Sequence, residues 1–209
     1  MRTLFCLAAA LALTGCITIG GSANKDAAST NIYTLKPAAE MHAAPARAPA
    51  RGRTVVVVPK PQLPAGFDTE RIALLFEQDR RLDYYADAKW SARLDDLLQD
   101  FVVSRAQDEL PGKVVGTPEL TPSPKYRIAL TFTDIQPVYA GMADKAPRLD
   151  AAVTVSIVTV PGNAVKTQFK VQKSAPASAN TLTAITNEMG KLLQTLTDEA
   201  LQKAAPFLG

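Results

Sequence analysis

The chain has 209 residues, 23 Lys+Arg against 20 Asp+Glu, two cysteines and one histidine. A formal charge of +3 gives no reason to expect nucleic acid or a strongly basic membrane-surface patch as a partner. One histidine and two cysteines exclude a zinc site of the Cys/His kind, and the length suits one ordinary domain plus a tether.

Residues 1–15 have the layout of a secretory signal: Arg2, the apolar block "LFCLAAALAL", then Thr14 and Gly15. Leu4 to Leu13 is too short to cross the bilayer, which takes about 20 residues as a helix. The small residues run directly into Cys16, so Leu13-Thr14-Gly15-Cys16 has the form of a bacterial lipobox, cut before Cys16 and lipidated on it. An acyl chain contributes about 0.8 kcal/mol per buried methylene, and two or more chains on one residue hold stably. The covalent lipid on Cys16 is the one group expected; no other cofactor is. Cys6 leaves with the signal, so the mature chain has no disulfide. Ile17 rather than Asp follows Cys16, and by the enterobacterial sorting convention this sends the protein to the periplasmic face of the outer membrane. Cleavage removes Arg2 alone among charged residues, leaving 22 basic against 20 acidic side chains, a balance of +2.

Residues 16–31 read as a lipidated tether, small and polar ("ITIGGSANKDAAST"), with a reach on the order of 45 Å when extended. Residues 32–209 read as one domain interrupted by an Ala/Pro-rich loop at 36–53. "NIYTL" is a short strand, and "RTVVVVP" is a buried strand ended by Pro59. "PKPQLPAGF", with three prolines, is a loop. "RIALLFE" and "RRLDYYA" are strands around a turn at Gln78-Asp79. A helix is expected over Ala88–Leu110, its stripe running through Trp90, Leu94, Leu97, Leu98, Phe101 and Val102, and Pro111-Gly112 ends it. After a short strand at Lys113-Val114-Val115 come three alternating strands. "KYRIALTFTDIQPVY" turns Tyr126, Ile128, Leu130 and Phe132 to one face. "RLDAAVTVSIVTV" does so with Leu149, Ala151, Val153, Val155 and Ile157, and "AVKTQFKVQKS" with Val165, Thr167, Phe169 and Val171. The last two strands are joined by a tight turn at Pro161-Gly162-Asn163. A closing helix aligns Leu182, Ile185, Met189, Leu192, Leu193, Leu196 and Ala200. The expected fold is α+β: a two-layer sandwich of a mainly antiparallel sheet with two amphipathic helices packed on one face.

Candidates for chemistry are sparse. His42 lies in the Ala/Pro loop, where nothing orients it, and no glycine-rich phosphate loop is present. Asp95-Asp96 point about 100° apart on a helix, and Asp79 and Asp83 flank arginines, so these carboxylates read as a solvated face rather than an acid/base pair. No catalytic or metal-ligating residue is assigned. The most distinctive internal string is "LDYYADAKW". Trp90 defaults to core packing, and Tyr84 and Tyr85 must face opposite sides of a strand, one packed and the other exposed or at an interface. Tyr84, Tyr85 and Lys89 are therefore the interface candidates.

The lipobox, "IYTL", "VVVVP" and "RIALLFEQDRRLDYYADAKWSARLDDLL", followed by a sheet and a closing helix, resemble the ABC-type transport auxiliary lipoproteins over nearly the whole mature chain. The family more often has Arg where Lys89 stands, so charge is kept and the planar donor fork is lost. The resemblance implies a non-enzymatic outer-membrane component of a lipid-trafficking machine. Its partners would be a periplasmic protein with mammalian-cell-entry (MCE) domains, an inner-membrane ABC transporter or permease, and outer-membrane lipid, with a ring-forming homo-oligomer for some members. A rival of another class is a lipoprotein activator of a peptidoglycan synthase, which shares the leash and small α/β domain. A third is a lipid carrier, which needs a large apolar cavity.

Overall fold

The computed structural model describes residues 30–37, 53–141 and 143–209. The signal, Cys16, the tether up to residue 29, His42 and most of the Ala/Pro loop lie outside the described residues. In chain order the elements are β1 (Asn31–Tyr33), β2 (Val55–Val57), β3 (Arg71–Phe76), β4 (Arg81–Trp90), α1 (Leu94–Glu109), β5 (Val114–Gly116), β6 (Tyr126–Tyr139), β7 (Arg148–Thr159), β8 (Val165–Pro176) and α2 (Leu182–Ala204). A 3-10 turn over Ala205–Phe207 follows.

β6 is the spine of one eight-stranded sheet. One of its edges bonds antiparallel to β7 from Tyr126↔Thr159 to Val138↔Arg148, and β7 bonds in turn to β8. The other edge takes two strands end to end, both parallel: β2 at its start (Val56↔Tyr126) and β3 at its finish (Leu75↔Val138), with Gln62 bridging to Thr131 between them. β5 extends β2, β4 extends β3, and β1 closes the edge beside β4. The class is the expected α+β, but the sheet is mixed. Strands joined by short connections pair antiparallel in the long ladders, whereas β1, β2 and β5, which reach their neighbours through long connections, pair parallel in short ones.

Both helices lie against one face. The inward side chains of β7 (Leu149, Ala151, Val153, Val155 and Ile157) are buried as their alternation predicts, opposite Ile128, Leu130 and Phe132 of β6. Over them pack Leu98, Phe101 and Val102 of α1 and Leu193, Leu196 and Leu201 of α2. Two bulges shift the alternation. One at Thr133 hands the inward role in β6 to Ile135. Another at Lys166 pairs Val165 with Val158 rather than with an inward residue, so Val165 is 62% exposed instead of facing the core.

The helix expected from Ala88 begins at Leu94. Ala88, Lys89 and Trp90 belong to β4, paired parallel with Asn31, Ile32 and Tyr33. The Trp90 amide donates to the Glu70 carbonyl at 2.7 Å, so sheet bonds take the backbone groups a helix would have used. Trp90 is buried as expected, but from the end of a strand. In the turn at 161–163, Gly162 has φ +108° and Asn163 φ +49°, the backbone those residue types allow.

Candidate functional site

The chain coming from Cys16 enters the described fold at Thr30, and β1 starts at Asn31, one residue inside the expected tether. It lies beside the β4 residues that carry the interface candidates. Lys89, opposite Ile32 of β1, reaches the Glu70 carboxylate at 3.0 Å in an exposed ion pair. Its neighbour Trp90 is fixed among Leu35, Phe67, Ile72, Leu94, Ile185 and Met189. Ile32 itself is 64% exposed, an apolar side chain on a short edge strand next to the tether.

The two tyrosines are tied into the fold by their hydroxyls. Tyr84 donates to the Gly66 carbonyl at 2.9 Å, and the Arg71 guanidinium stacks 3.6 Å from the centre of its ring. Tyr85 shares a 2.9 Å hydrogen bond with the Tyr139 hydroxyl, which donates onward to Asn180 Oδ1 at 2.8 Å, while Asn180 Nδ2 donates to the Ala143 carbonyl at 2.9 Å. Because Tyr139 spends its proton on Asn180, Tyr85 is the donor of the pair. Burial, then the bond to Tyr139, pushes the Tyr85 phenol well above its ordinary value, so it stays neutral. Both rings are half-buried, and this chain clamps β4, β6, the loop after β6 and the residues before α2 together.

The carboxylates flagged in the sequence sit in ordinary ion pairs and turns. Asp95 pairs with Arg93 at 3.1 Å, Asp96 with Lys60, and Asp79 with Arg81 at 3.7 Å, while Asp83 accepts the Tyr84 amide at 2.8 Å. Among the described residues no three His, Cys, Asp or Glu side chains converge as metal ligands.

Sequence reading missed Arg105. It lies seven residues after Leu98 on the buried stripe of α1, and that spacing was the available signal. Its buried guanidinium grips Asp198 of α2 through two bonds of 2.8 and 3.0 Å and takes Glu109 at 2.9 Å. The bond to Asp198 raises its affinity for the proton, and with Asp108 at 3.4 Å the four-residue cluster locks α1 to α2. Among the described residues the core contains small apolar cavities. One is lined by Val102, Ile128, Phe132, Val155 and Leu196, and another by Phe67, Trp90 and Met189. Each has a volume of about 10 Å³, the scale of a single water and far below an acyl chain. Among the described residues no helix is long and apolar enough to cross a membrane.

The family described as the ABC-type transport auxiliary lipoprotein component matches residues 33–200, from β1 to within the last turns of α2. The chain belongs to this family. It is thus an auxiliary lipoprotein component of ABC-type transport, and a lipoprotein of this family is a membrane-anchored envelope protein. Protein XCC0632 from Xanthomonas campestris shares the fold at 19% identity, with a TM-score of 0.65 over 84% of this chain and 95% of that one. An uncharacterised protein does so at 14% identity, with a TM-score of 0.63 over 87% and 99%. None of the curated proteins compared matches the chain. In the auxiliary lipoprotein, the family match takes in every interface candidate from Tyr84 to Lys89, yet it begins after the lipobox.

Proposed function

We propose that this auxiliary lipoprotein is the outer-membrane-anchored, non-catalytic docking or assembly subunit of an ABC/MCE-type lipid transport system, held by lipid on Cys16. The family match over residues 33–200 carries this reading. Two features of the fold support docking over carriage or catalysis. The core cavities lined by Phe132 and by Trp90, about 10 Å³ each, are too small for an acyl chain, and the candidate carboxylates are engaged in ion pairs or turn contacts rather than poised as an acid and a base. A partner would meet the tether-proximal edge, where Ile32 is exposed and Lys89 stands at the surface.

Co-purification from detergent-solubilised envelopes tests the reading. A tagged full-length chain is expected to recover a protein with MCE domains together with the inner-membrane permease or ATPase. Recovery of a penicillin-binding protein as the sole partner would overturn it in favour of a peptidoglycan-synthase activator.

A further inference from the structure

The register of the sheet gathers five basic residues at one rim. β5, β2 and β6 are neighbours that run the same way, with Val55 opposite Val114 and Val56 opposite Tyr126. Arg53, Lys113 and Lys125, each just ahead of one of these strands, therefore arrive side by side. The β7–β8 turn reaches the same rim: the Val160 amide donates to the Lys125 carbonyl at 2.9 Å, and Arg127 donates to the Asn163 side chain. Lys166 donates to the Phe207 carbonyl at 3.0 Å, and Thr54 Oγ1 donates to an α-carboxylate oxygen of Gly209 at 3.0 Å, so the residues after α2 close the rim. The Lys125 and Lys166 ammonium groups lie 5.4 and 5.0 Å from the centre of one ring, Tyr126.

The rim combines two properties. At the far end of β6 Arg148 pairs with Glu77 at 3.3 Å and Asp150 at 2.9 Å, and Arg81 with Asp79, which leaves Arg80 and Lys145 as the cations without a salt bridge there among the described residues. Among the described residues Arg53, Lys113, Lys125, Arg127 and Lys166 form no salt bridge with an Asp or Glu, so five cations face the α-carboxylate of Gly209 and leave the rim net positive. The rim also exposes apolar side chains, Val165 at 62% and Phe207 at 36%, beside the exposed Pro161 and Pro206. Unpaired cations interleaved with scattered apolar tips suit a bilayer surface, where headgroup phosphates meet the ammonium groups and the tips enter the interface. A folded acidic partner would satisfy the charges but leave Val165 and Phe207 without a contiguous apolar patch to bury.

We propose that this rim is a membrane-contact surface for anionic lipid headgroups, in addition to any lipid anchor. The proposal rests on the lipoprotein reading for the nearby bilayer. Residues 17–30 reach on the order of 45 Å when extended, about the length of the fourteen-residue β6, so the tether lets this end of the sheet lie on the membrane.

The test uses the chain from Ile17, exported behind a signal ending in an Ala-x-Ala site. It keeps every residue of the core, which runs from Leu35 to Leu208. Sedimentation with phosphatidylcholine vesicles, with or without one-third phosphatidylglycerol, reads the contact. Binding to the anionic vesicles is expected to exceed binding to the neutral ones by about tenfold or more, and to weaken as salt rises. Lys125→Glu with Lys166→Glu should lower it about tenfold or more, and Phe207→Ser a few-fold, with circular dichroism showing each variant folded at the assay temperature. Lys170→Glu, on β8 away from the rim, should change it little. Equal binding to both vesicle types, no binding to either, or full binding by the double variant overturns the proposal, and the last two would leave the cations to a protein partner. The intact mass of the wild-type protein reports lipid on Cys16 independently, so failure of the anchor and failure of the rim are told apart.

Discussion

Arg105 shows how one buried charge can be structural. Its guanidinium is 6% exposed at the side chain, while Asp198 and Glu109 keep about a quarter of their side-chain surface, at 23% and 26%. Removing one partner of a fully buried pair costs about 3–5 kcal/mol, and the partial solvation of the two acids here lowers the expectation for Arg105→Ala to about 2–3 kcal/mol. A urea unfolding curve reads this directly. Arg105→Met with Asp198→Leu and Glu109→Gln should recover most of the loss, because the apolar pair restores packing and neither acid is left as an orphan charge. If this triple variant is no better than Arg105→Ala, the cluster is not what joins the helices. Gly66 carries a separate constraint. Its φ is +91°, and a Cβ there would meet the Tyr84 hydroxyl at 3.0 Å and Leu82 Cδ2 at 3.1 Å. Gly66→Ala should cost about 1–3 kcal/mol. Tyr84→Phe, which removes one hydrogen bond and leaves the ring under Arg71, should cost about 1 kcal/mol. The ordering of the two in thermal unfolding is the check.

At the scale of elements, the contact of α2 with β8 has a pH signature. Glu199 of α2 lies between Lys173 of β8 and Lys203, the latter at 2.6 Å. Their hydrogen bonds, Lys173 first, hold its carboxyl at about 2 against an ordinary 4.5. A depressed folded value means the contribution is complete above pH 4.5 and is lost as pH falls toward 2. Glu199→Gln should therefore flatten the acid side of the stability curve in that window and leave a constant offset above it. Parallel curves for wild type and variant down to pH 2 would show that the lysines do not hold this proton off. Which elements were legible follows from what each depends on. The five inward residues of β7 could be read because alternation is local to the strand. Val165 could not, because a bulge is a property of the pairing between β7 and β8. Ala88–Trp90 fit a helical stripe ahead of Leu94 equally well, and only their remote partners, Asn31–Tyr33 on one side and Glu70-Arg71 on the other, decide for the sheet. The parallel pairings of β2 with β5 and β6 were hidden for the same reason: their partners are set by long connections. At the candidate site, "LDYYADAKW" announced itself as distinctive, but that both tyrosine hydroxyls are spent on Gly66 and Tyr139 required the fold. Arg53, Lys113, Lys125, Arg127 and Lys166 are so far apart in sequence that a charge of +3 gave no hint of a basic rim.

For the whole molecule, the decisive variable is how the domain is held at its membrane. The two proposed attachments differ in their physics. A lipid on Cys16 acts through the hydrophobic effect and ignores salt, whereas the cationic rim acts through surface potential and is screened over about 10 Å at 0.1 M salt. They separate by fractionation. Wild-type protein should stay with membranes through a high-salt wash. The chain from Ile17, exported without lipid, should remain partly membrane-associated in low salt and become fully soluble in high salt. Its thermal unfolding should match wild type, since the buried core begins at Leu35. In high salt the unlipidated chain should also fail to bring an MCE-domain protein down with outer-membrane fragments, because the proposed docking subunit then has neither attachment to that membrane. A lipid-free chain still bound after the salt wash would contradict the assignment of Cys16 as the permanent anchor. Full recovery of the partner with outer-membrane fragments in its presence would place the docking role on some other component.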